Sequence, residues 1–167
     1  MDPIRLGGGH DVARPSPLWL KDCGYPGDMF EGTEDGSPEE IELRIAAVLT
    51  NLPIIRSLAA SIAMRADFDL DSIADLRLAV DEACSTLITQ GAPNSTLRCT
   101  FQVSVDEIRF VVTVPSTSDT KPSSDSFGWR VLTTLTDHTA TWVDGDGESP
   151  HLVHIELAKR RVEGLPG

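Results

Sequence analysis

From Ile73 to Gly91 the apolar positions recur at helical spacing, with Leu76, Val80, Ala83 and Leu87 forming one stripe. That pattern predicts a helix with a buried face. Asp71 is placed to cap its start, and Gly91, followed by Pro93, to end it. A second row on the same helix carries Leu78, Glu82, Ser85, Thr86 and Thr89, so a carboxylate and several hydroxyls share one face. Periodicity alone reads that row as an ordinary solvated face.

The rest of the chain alternates between the two periods. IELRIAAV, from Ile41, alternates apolar and polar residues as a first strand does. Asn51 and Pro53 then open a helix through about Arg65, with Ile54, Leu58 and Ile62 spaced for a buried face. Leu97 to Val105 and Glu107 to Val114 read as a hairpin turning around Asp106. The second of these, EIRFVVTV, ends in a continuous apolar run, as a central strand covered by helices would. PSTSDTKPSSD has the composition of a flexible loop. SFGWRVLTTLTD begins a third helix with Trp129, Leu132 and Leu135 on or near one face. Two strand-like runs, Thr139 to Val143 and His151 to Leu157, flank the turn DGDGESP, and the basic end AKRRVEG is expected to be solvated.

A chain of 167 residues, 40% hydrophobic, suits one folded domain over residues 40–160. Residues 1–39 hold three glycines in a row and all but the last residue of the acidic run DMFEGTEDGSPEE, and are expected to be a disordered leader, either a solvated tail or an acidic arm for a basic partner. Residues 161–167 are expected to be a flexible tail, and Met29 is an alternative start to Met1. The net charge of −12 argues against non-specific nucleic-acid binding. With no apolar run of membrane length and no secretory pattern, the chain is expected to be cytoplasmic. Cys23, Cys84 and Cys99 lack metal-like spacing and read as reduced thiols. His10, His138, His151 and His154 are scattered and are assigned structural roles.

LRLAVDEACSTLI resembles the first box of the GHKL ATP-binding superfamily, and in particular of the RsbW-type anti-sigma factors, whose helix carries Glu and then Asn one turn later. Glu82 matches the Glu, and Thr86 stands at the Asn position. In that family the Glu is a general base and the Asn oxygen helps hold magnesium on the nucleotide. SFGWRVLTTL resembles the second glycine box, which presents helix N–H groups to phosphate; Gly128 remains of its glycines, and Ser126 stands at another position. The Asp-x-Gly-x-Gly box that reads adenine is missing, with Ser116, Ser118 and Thr120 in its places. Arg56 stands where the family carries an Arg near the start of its first helix, although a solvated helix residue explains it equally.

The resemblance implies an α/β two-layer GHKL-type sandwich, a mixed β-sheet with helices on one face. It implies an anti-sigma factor that holds an alternative, stress-response type sigma factor away from RNA polymerase and is released by an anti-anti-sigma antagonist. It further implies a homodimer formed through the first strand and helix, with Arg56 on the partner-binding surface. ATP and magnesium, held by Thr86, Ser116, Ser126 and Gly128 with Glu82 as base, are expected to bind weakly. Two other readings stay open: a working serine kinase acting on the antagonist, and a small α/β interaction domain unrelated to sigma control.

Overall fold

Alternating side chains make Glu39–Ala46 a strand, β1, and a short 3-10 turn at Leu49–Asn51 leads from it into helix α1, Leu52–Arg65. Pro53 lies in the first turn of α1, where its missing N–H costs no helical bond. Helix α2 spans Leu70–Gln90, followed by the hairpin β2 (Thr96–Val103) and β3 (Glu107–Ser116). Helix α3 covers Phe127–Leu135, and β4 (His138–Asp144) and β5 (His151–Arg160) close the order. The computed structural model describes residues 37–145, 147 and 150–163. The expectations made for residues 1–36, including the start site, and for 164–167 lie outside the described residues.

Among the described residues the strands form one sheet in the order β1-β2-β3-β5-β4, with the central strand β3 where its apolar run placed it. Every neighbouring pair is antiparallel, which corrects the expectation of a mixed sheet. The reason is where β5 inserts. The connection through α3 carries the chain from β3 to a β4 running the same way, but β5 lies between them and opposes both.

One face of the sheet is covered by helices. Phe101, Phe110, Val112, Ile155 and Leu157 meet Ile55, Leu76, Val80, Leu87 and Leu132 in a single core. The Phe101 and Phe110 rings lie 4.7 Å apart and tilted by 43°. The expected stripe of α2 is buried throughout, but that of α1 is offset. Ile54 is 54% exposed and Leu58 only partly covered, while Ile55, Ala59, Ile62 and Ala63 are buried. The buried row of α1 thus alternates two isoleucines, Ile55 and Ile62, with two alanines, Ala59 and Ala63.

The ends of α2 also differ in detail from expectation. Asp69, not Asp71, is its N-cap, accepting from the Ser72 N–H at 3.1 Å. That hydrogen bond holds the Asp69 carboxyl below the usual carboxylate range. Gly91 caps the other end with an extended backbone, φ −63°. A Cβ there would lie 2.9 Å from Val114 Cγ2 and 3.0 Å from Ser95 Oγ, so the glycine serves close approach to β3.

Candidate functional site

Glu82 projects half-buried from the middle of α2 toward the first turn of α3. Ser126 is the N-cap of α3: its Oγ accepts from the Trp129 N–H at 3.1 Å and donates to the Ser123 carbonyl at 2.9 Å. Gly128, next to the cap in the first turn, makes room for the glutamate. A Cβ at Gly128 would stand 2.1 Å from Glu82 Oε1 and 3.1 Å from its Cδ. The carboxylate therefore rests against the backbone of a helix N-terminus, where aligned peptide dipoles favour negative charge.

The structure brings Glu82, Ser126 and Gly128 together, with Thr86 one turn further along α2. Thr86 is partly buried, and its carbonyl accepts from Thr89 Oγ1 at 2.7 Å. Ser116 ends β3 fully buried, and its Oγ accepts from the Ser118 N–H at 3.1 Å. Ser118 in turn donates to Thr120 Oγ1 at 2.9 Å and accepts from the Thr120 N–H at 3.2 Å. The hydroxyls that stand in the places of the adenine-reading box thus fold back on their own loop. Arg56 belongs to the α1–α2 junction, with its Nε 3.5 Å from Asp81 Oδ1, a loose electrostatic contact rather than a hydrogen bond.

Two contributors escaped the sequence reading. Asp81, beside Glu82, is the partner of Arg56. Lys159 donates to Asp75 Oδ2 and to the Leu135 carbonyl, both at 3.0 Å, and so ties the end of α3 to α2. Its side chain is largely covered, which corrects the expectation that AKRRVEG is solvated along its whole length. The signal was present: Lys159 continues the every-second-residue row Val153, Ile155, Leu157 that faces the helices.

On the opposite face, His154 is buried in a polar row. Thr113 Oγ1 lies 2.8 Å from its Nδ1, Asp144 Oδ2 lies 2.9 Å from its Nε2, and Trp142 stacks on the ring at 4.8 Å. Burial lowers the His154 pKa, with Asp144 acting in the opposite sense. Burial likewise pushes the Cys84 thiol well up, with Cys99 beside it adding to the shift. Among the described residues no cluster of three or more His, Cys, Asp or Glu could hold a metal ion, and no helix is long and apolar enough to cross a membrane.

A two-layer α/β scaffold with a glutamate on its long helix, set against a glycine-bearing helix start, is compatible with a GHKL-type sandwich. No family model matches the sequence. Over 140 residues, 83% of this chain and 80% of the relative, it is 38% identical to the anti-sigma-F factor RsbW of Mycobacterium tuberculosis strain CDC 1551 / Oshkosh. The same match is found with RsbW of strain ATCC 25618 / H37Rv. The chain belongs to the RsbW family of anti-sigma factors.

Proposed function

We propose that this protein sequesters an alternative sigma factor of the sigma-F type, keeping it from RNA polymerase in the cytoplasm, and releases it when an anti-anti-sigma antagonist competes for an overlapping surface. The observation that carries this reading is the 38% identity extending over 83% of the chain. Two features of the fold support a binding surface around β1 and α1. Among the described residues β1 is an edge strand of the sheet, and Val48, Leu49 and Ile54 beside it are 46%, 55% and 54% exposed. The same region is the proposed homodimer contact. Arg56 contributes to the partner surface, and the net charge of −12 favours long-range attraction to a basic patch.

ATP and magnesium fit this site poorly. Ser116 is buried and committed to its loop, Thr86 offers a hydroxyl in place of an amide oxygen, and the space over Gly128 is filled by Glu82. Partner exchange, rather than phosphoryl transfer, is therefore the activity proposed. The serine-kinase reading rests on Glu82 alone, as a carboxylate placed to accept a hydroxyl proton.

Calorimetry with the cognate sigma factor tests the reading. The wild type binds, binding weakens as salt is raised, and Arg56→Glu weakens it further. Adding Asp81→Arg to Arg56→Glu restores the α1–α2 charge pair without restoring affinity, which separates partner contact from stability. Absence of binding by the wild type would remove the proposal.

A further inference from the structure

We propose that the face of the sheet away from the helices docks a short acidic segment of a partner protein, with Arg44 and Arg98 as its cationic seat. Among the described residues the helices pack on the opposite face and leave this one uncovered. The strand registers set Arg44, Arg98, Thr113, His154 and Trp142 in one row across the whole sheet. Arg98, exposed on β2, stands directly opposite Arg44 on β1, an arrangement that costs stability because like charges on paired strands repel. Arg44 Nε donates to Glu42 Oε1 at 2.5 Å, but among the described residues no carboxylate lies within ion-pairing distance of Arg98. The glutamates of this face are gathered on one side of the row, where Glu156 and Glu107 both accept from Arg109, at 2.5 and 3.0 Å. On the other side stand Pro115 and Leu152, the latter 38% exposed, while Asp144 on the far strand is engaged with His154 and Trp142. A cation without a counter-ion beside apolar surface is complemented by a carboxylate with an apolar neighbour. At physiological salt, charges are screened beyond about 8 Å, so a short segment meets the two arginines, whereas a long polyanion would run over the glutamates as well.

This surface does not rest on the sequestration reading, and sigma capture is measured apart from it. The test titrates the full chain with a blocked hexapeptide of alternating glutamate and leucine, followed by the amide resonances of Arg44, Arg98 and Leu152. Those amides should shift, and the same peptide with glutamine in place of glutamate should bind at least about tenfold more weakly. Arg98→Thr should weaken the glutamate peptide by a similar factor while leaving the urea midpoint unchanged or raised, since it relieves the repulsion from Arg44. A residue kept for the fold would instead lower the midpoint. Equal affinity for the two peptides, unchanged affinity in Arg98→Thr, a lowered midpoint, or no shift at these amides would overturn the proposal. Tighter binding of a hexathymidylate at the same amides would overturn it in favour of a nucleic acid.

Discussion

Gly91 sets how closely the end of α2 approaches β3, and its backbone angles are ones any residue adopts. Gly91→Ala therefore tests sterics alone. With Val114 Cγ2 2.9 Å from the new methyl, the substitution should cost about 1–3 kcal/mol in urea unfolding, and an unchanged midpoint would show that the junction yields freely. His154 supplies a pH dependence at the same scale. Its folded pKa lies below the ordinary value of 6.5, so as pH falls the unfolded chain takes up the proton first. Stability from this group is intact above about pH 7 and is lost as pH falls through 6.5 toward the lower folded value. Urea midpoints at pH 7.5 and 5.5 should fall further for the wild type than for His154→Gln; parallel losses would contradict the assignment. At this scale Glu82 and Gly128 were legible because a helix and a turn carry recognisable patterns. Their mutual contact was not, since no periodicity in α2 reports where α3 begins. Asp81 was missed because a charged residue on a helix reads as solvated until a partner helix is in place.

The position of α3 is fixed at both ends by side chains from elsewhere in the chain, Glu82 against its first turn and Lys159 at the Leu135 carbonyl. A cation at a helix C-terminus is favoured by the dipole, and Lys159 also pairs with Asp75. Lys159→Met keeps the apolar stem and should still cost about 1–2 kcal/mol by leaving the Leu135 carbonyl and Asp75 without their donor. Arg65→Ala is the contrast. Its ion pair with Glu39 is well exposed at the surface, so the loss should stay within about 0.5 kcal/mol by the same measurement. The reverse ranking would mean that α3 is held by packing alone. Element order and the buried stripe of α2 were readable from periodicity. Ile62 of the expected α1 face is buried, but Ala59 and Ala63 of that face were not marked because small residues carry little hydrophobic signal.

For the whole molecule, the two-layer arrangement with helices on one face follows from the order of elements, but strand direction does not. Whether β4 falls beside β3 or beyond β5 leaves the hydrophobic pattern of every strand unchanged, so the fully antiparallel sheet had to be seen. The edge position of β1 among the described residues and the exposed Val48, Leu49 and Ile54 bear on assembly: sedimentation at micromolar concentration should give a dimer, and Ile54→Glu should shift it to monomer. A wild type that remains monomeric would remove β1 and α1 as a self-association surface while leaving them available to a sigma factor. The central claim concerns that second use. In reconstituted transcription with RNA polymerase and the cognate sigma factor, adding this protein should stop transcription from the sigma-dependent promoter without ATP, and adding the unphosphorylated antagonist should restore it. Undiminished transcription with the protein in excess over the sigma factor would contradict the account.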